Sequence, residues 1–206
     1  MSIALWLSVA AVCALGAMSP GPSLAVVIRN TIGGGRGHGL VTAWGHAAGI
    51  GVYALMTAFG MAIAIEQSPL LHNALTIAGA AYLLYLGTMA LRSSAQVGDG
   101  DVAAHPDFGR VAREGFLTAL LNPKVAVFFL AIFSQFLQPG MSTWAHLVMA
   151  ITAVLVDGLW YSVVSLLLTR GAWHELLRRQ ARNIDRVAGG VLVLLAVAGI
   201  ARLIYG

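Results

Sequence analysis

Apolar residues in this chain gather into six long runs, at about 2–28, 39–65, 70–91, 114–137, 143–169 and 185–204, separated by polar or glycine-rich stretches. Each run supplies the roughly 20 mostly apolar residues that an α-helix needs to cross a ~30 Å hydrocarbon core. The pattern predicts an all-α polytopic membrane fold of six transmembrane helices in one domain, 1–206. Two of the runs are interrupted. Pro20, Gly21 and Pro22, between Ser19 and Ser23, break the first, and Asn122-Pro123-Lys124 breaks the fourth. Proline removes a backbone donor and clashes with the preceding turn, and glycine weakens a helix. In lipid, the groups freed by a break are tolerated only where protein or a water-filled cavity surrounds them. The breaks therefore predict a cavity.

The two broken runs open two halves of three runs each. An odd number of crossings per half would insert the halves in opposite directions, and paired breaks point to a transporter's binding site. The short hinge Glu66-Gln67-Ser68-Pro69 predicts that runs two and three are antiparallel neighbours, and Gly45 and Gly49 have the spacing that lets helices approach closely in lipid. The stretch from Arg29 to His38, rich in glycine, reads as a loop. Residues 93–113 read as a solvated connector, and the basic stretch 170–186 as an amphipathic segment along the anionic inner leaflet.

Composition agrees with the bilayer reading: of 206 residues, 59% are hydrophobic and only 10% charged. The net charge of +4 does not signal nucleic acid, because the basic residues lie between apolar runs rather than in one patch. Their placement sets an orientation. Loops after runs one, three and five carry Arg29 and Arg36; Arg92, Arg110 and Arg113; and Arg170, Arg178, Arg179, Arg182 and Arg186, whereas those after runs two and four carry no arginine. The positive-inside rule then places the odd loops in the cytoplasm and both termini outside. The first positive charge is Arg29, so the first run is expected to be a retained span rather than a signal peptide.

Asp157 is the one carboxylate well inside a run, where insertion of a charge costs about 3 kcal/mol. Trp160 and Tyr161, three and four residues on, are expected to share its helix face. Asp157 is a candidate for proton coupling or for binding a substrate ammonium, the alternative being a structural ion pair with Lys124 or a hydrogen bond to exposed backbone. Lys124 would attract a carboxylate, pair with Asp157 or extend its amine to the interface. Helix N-termini after Pro22 and Pro123 offer N–H groups to an anion, with Ser23 and Asn122 available to satisfy freed amides. His46 is a candidate proton relay or a hydrogen-bonded packing residue.

Pro20-Gly21-Pro22-Ser23, Gly35-Arg36-Gly37-His38-Gly39 followed by Gly45 and Gly49, Ala80-Ala81-Tyr82-Leu83-Leu84-Tyr85-Leu86-Gly87, and Gly115-Phe116 leading to Asn122-Pro123-Lys124 and Phe128-Phe129 occur in this order. Together they resemble the LysE/RhtB family of bacterial amino-acid exporters, over nearly the whole chain. The resemblance implies a multi-pass protein of the bacterial inner membrane that exports a neutral amino acid, homoserine or homoserine lactone by proton antiport. It implies no cofactor and no enzymatic activity; the expected partners are the substrate, protons, the bilayer and, for assembly, a second copy of the chain as a homodimer. The chain departs from the family at Ser134, where proline is common, and at Ser23, where asparagine is frequent.

Other classes are weighed on residue content. A thiol-disulfide carrier needs two cysteines, and the chain has only Cys13. A divalent-metal exporter would cluster its ligands, whereas His38, His46, His72, His105, His146 and His174 are scattered. A hydrolase needs a nucleophile with a base at recognisable spacing, which is not found. A metal or other small-solute exporter and a non-coupled channel remain as alternatives.

Overall fold

The computed structural model describes residues 1–19, 21–67, 69–92, 107–138, 140–168 and 172–205. They form α1 (Ile3–Met18), α2 (Pro22–Gly34), α3 (Arg36–Gln67), α4 (Pro69–Arg92), α5 (Phe108–Leu120), α6 (Pro123–Phe136), α7 (Thr143–Leu168) and α8 (Ala172–Tyr205), with no strand among the described residues. The all-α polytopic fold follows from the apolar runs. Helices α3, over Arg36–Gly60, and α7 are each long and apolar enough to cross a membrane alone. The pairs α1–α2 and α5–α6 meet that test as broken spans, bent by 63° and 55°. α4 and α8 carry shorter apolar stretches, Thr76–Met89 and Arg186–Ala201, so length and composition alone give up to four crossings among the described residues.

Both bends have local causes. Pro22 and Pro123 each sit in the first turn of the second helix of a pair, where a missing N–H costs nothing. The Asn122 side chain accepts from the Lys124 amide at 3.0 Å and so caps α6. Gly21 precedes α2 without a side-chain cap. At the end of α5, the carbonyl of Leu120 accepts from the Tyr53 hydroxyl at 2.6 Å, so α3 helps satisfy the break.

The junction expected as a loop from Arg29 to His38 is almost entirely helical. α2 continues to Gly34, and a single residue, Gly35 at φ 81°, turns the chain into α3. A left-handed φ suits glycine, and the Gly35 N–H returns to the Thr31 carbonyl at 2.9 Å. Arg29 and Asn30 are thus fixed on a helix. Of the expected connector 93–113, residues 93–106 lie outside the described residues, and Asp107 caps α5 by accepting from the Gly109 amide. The basic segment from Ala172 onward is helical and continues without a break into the apolar part of α8. Arg170 lies outside the described residues.

Among the described residues α3 packs chiefly against α5 and α7, and α4 against α8 and α6. Small residues explain the first contact. A Cβ on Gly45 would strike the Ala112 carbonyl, one on Gly49 would meet the Ala119 Cβ at 2.7 Å, and one on Gly115 would strike the Thr42 carbonyl. The backbones of α3 and α5 therefore touch, as close packing in lipid requires.

Candidate functional site

The core cluster joining α1 and α3 through α8 contains a cavity of about 120 Å³ between the two helix breaks. Gly21, Pro22, Ser23, His46, Asn122, Lys124, Asp157 and Tyr161 all line it. Pro20 lies outside the described residues, and Pro123 is placed only as the first residue of α6. Trp160 does not line the cavity. It packs against the neighbouring cluster of Leu24, Val27 and Ile28, with its buried indole nitrogen unpartnered among the described residues. Ala153 and Tyr161, one turn before and one turn after Asp157, line the cavity with it, and Trp160 packs on the α2 cluster instead.

Asp157 is 5% exposed and His46 1% exposed. His46 Nδ1 and Asp157 Oδ2 are 2.8 Å apart, and the Tyr161 ring stands edge-on to the imidazole with centroids at 5.1 Å. The partner of Asp157 is therefore a histidine on α3, rather than Lys124. The Lys124 ammonium donates to Ser19 Oγ at 3.1 Å, next to the first break. A buried carboxylate needs a donor, and His46 Nδ1–H supplies it; in that tautomer Nε2 is an acceptor. Nε2 is buried with no partner among the described residues and belongs to a residue that lines the cavity.

The breaks also meet each other. Asn122 Nδ2 reaches Ser23 Oγ at 3.5 Å. The N-terminus of α2, without a side-chain cap, and that of α6 both open on the cavity, which holds partial positive charge there. Apolar walls come from residues such as Ile50, Leu86, Phe128 and Leu192. One chamber thus combines a carboxylate–imidazole pair, a lysine and helix N-termini. It has groups for both ends of a zwitterion.

A second polar group was not foreseen. Arg29 pairs with Glu114 at 2.5 Å, and Asn30 Nδ2 donates to Glu114 Oε2 at 3.0 Å and to Thr42 Oγ1 at 3.1 Å. This ties α2 and α5, one helix from each broken pair, to α3. The carboxylate looked like the edge of a run, and only the helical course of α2 reveals its partners. Because both members of the ion pair are about one-third exposed, a double-mutant cycle of Arg29→Ala and Glu114→Ala by thermal melting in detergent is expected to give a coupling of at most about 1 kcal/mol. Three or more would show a much drier pair.

Among the described residues no three His, Cys, Asp or Glu side chains converge as a metal site. The LysE type translocator family model matches residues 14–202. The chain is 31% identical over 189 residues to an uncharacterized membrane protein, YahN, of Escherichia coli strain K12, covering 91% of this chain and 83% of that one. It is 28% identical over 192 residues to the threonine efflux protein of the same organism, covering 91% and 93%, and equally to that of Salmonella typhi. No solved structure matches the chain.

Proposed function

Because this chain belongs to the LysE-type translocator family, we propose that it exports a small neutral amino acid or close derivative across the bacterial inner membrane by proton antiport, through the cavity between its two helix breaks. The observation that carries this reading is the lining of that cavity: Asp157 and His46, Lys124, and two helix N-termini in one chamber. The ammonium of an amino acid would meet the Asp157 carboxylate and the free His46 Nε2. The carboxylate would meet the uncapped amides at the start of α2, and Lys124. Likeness to threonine efflux proteins supports a hydroxy or aliphatic amino acid as substrate. With Lys124 in the same chamber, a dibasic substrate would bring a second positive charge that has only Asp157 to meet it.

The reading includes six crossings, with α4 and α8 as the remaining two, the halves inverted and both termini outside, as the arginine distribution supports. A proton-coupled carrier exchanges a proton for substrate at one site, and a pair of titratable groups inside the cavity is suited to that. The test is efflux of a labelled amino-acid panel and homoserine lactone from proteoliposomes, with and without an imposed pH gradient. Saturable efflux of a threonine-sized substrate, accelerated by the gradient, is expected. Efflux that neither saturates nor responds to the gradient would instead identify a channel, and movement of divalent cations alone a metal exporter.

A further inference from the structure

The cavity has one wall whose position depends on the absence of a side chain opposite it. Gly16, in the last full turn of α1, faces the ring of Phe128 on α6 so closely that a Cβ there would lie 2.8 Å from Cε1 and nearer still to Cζ. Gly16 and Phe128 both line the cavity, and Phe128 is 8% exposed. The ring belongs to an aromatic ladder on α6, whose next rung, Phe129, also lines the cavity. Phe128 stands perpendicular to Phe129, with centroids at 5.7 Å and planes at 89°, and Phe129 stands likewise on Phe133, at 5.7 Å and 86°. Phe133 is fully buried. Such edge-to-face pairs add to the burial of each ring and hold it in one orientation.

Space is scarce around this wall. The cavity, about 120 Å³ and partly open, is bounded on this side by the Phe128 ring. With the charged ends of a substrate engaged by polar groups, its side chain is left to the apolar part of the lining, where Phe128 stands. We propose that Phe128, seated on Gly16, sets the upper limit on substrate side-chain size, and that the chamber admits neutral amino acids no larger than about threonine or valine. The assignment rests on the export reading above and adds a selectivity residue to it. Phe128 is not asked to touch the ammonium or carboxylate; it excludes bulk.

Two substitutions act in opposite directions. Phe128→Ala removes the wall and enlarges the chamber. Gly16→Ala places a methyl group where the ring now lies, and the open volume next to the ring is the cavity, so the chamber shrinks. A methylene gained or lost in an apolar pocket changes discrimination by about 10- to 200-fold. In proteoliposomes of the full chain, efflux would be measured for glycine, alanine, serine, threonine, valine, leucine and phenylalanine. Wild type is expected to move the first five and exclude the last two. Phe128→Ala is expected to raise leucine transport, as kcat/KM relative to alanine, about tenfold or more, and Gly16→Ala to lower threonine relative to alanine by a similar factor. Phe128→Leu, which keeps an apolar core residue, is the milder variant where alanine fails to fold, with leucine still gaining on alanine. Transport by the variants with an unchanged size profile would overturn the role of Phe128 while leaving export intact. Absence of amino-acid efflux in wild type would overturn both.

Discussion

Asp157→Asn is expected to abolish the response of efflux to a pH gradient while leaving the protein folded. Asparagine keeps the shape of the side chain, and its carbonyl can still accept from His46 Nδ1–H across the present 2.8 Å. The lost charge is one whose burial, at 5% exposure, is itself costly, and neutralising a member of a buried pair need not destabilise when the other member is neutral imidazole. Function has no such tolerance. A charge-assisted hydrogen bond to a substrate ammonium contributes about 1.5–3 kcal/mol, so substrate affinity is expected to fall by roughly 10- to 100-fold. Coupling falls completely, because an amide carries no exchangeable charge. Gradient-driven efflux and counterflow, measured in the same proteoliposomes, separate the two roles. Counterflow retained with the gradient response lost assigns coupling to Asp157; loss of both assigns substrate binding as well. Gradient-driven efflux within twofold of wild type would remove Asp157 from the mechanism.

The second large effect is structural. Gly115→Ala is expected to lower stability by about 1–3 kcal/mol, the usual cost of overpacking, and Gly115→Leu to prevent accumulation of folded protein. The reason lies in what stands opposite: the added Cβ would meet the Thr42 carbonyl and, at 3.0 Å, the His46 backbone nitrogen. Backbone cannot swing aside as a side chain does, so α5 must move off α3. His46 sits on the α3 segment that would be displaced, so the surviving fraction of Gly115→Ala should also lose transport. Gly190→Ala is the matched control, since a Cβ there meets nothing within 4 Å. Thermal melting in detergent and yield after purification report the difference. A melting temperature for Gly115→Ala equal to that of Gly190→Ala would mean that α3 and α5 are less tightly joined than their glycines indicate.

These two residues also mark what is readable along the chain. Gly45 and Gly49 announce a close helix contact, because spacing on one helix is a local property. Gly115, their counterpart on α5, carries no such signal alone; its importance depends on Thr42 lying across from it. Likewise Asp157 is conspicuous as a carboxylate in an apolar run, but its partner is 111 residues away in sequence. Neither periodicity nor spacing could choose between Lys124 and His46. Arg29 opens the glycine-rich stretch expected as a loop, and such a stretch resembles a loop until its backbone hydrogen bonds are seen, so its pairing with Glu114 is not legible along the chain.

The sequence alone determined the all-helical membrane class, the two breaks and the family resemblance. All three depend on local quantities: the length of apolar runs, the backbone chemistry of proline and glycine, and short ordered motifs. Tertiary structure decided which side chains share a chamber. It brought His46 to Asp157, turned Lys124 to Ser19, seated Phe128 on Gly16 and tied α2 to α5 through Glu114. Those pairings depend on which helix faces meet, and in lipid the apolar faces of different helices are nearly equivalent, so shape and a few hydrogen bonds make the choice.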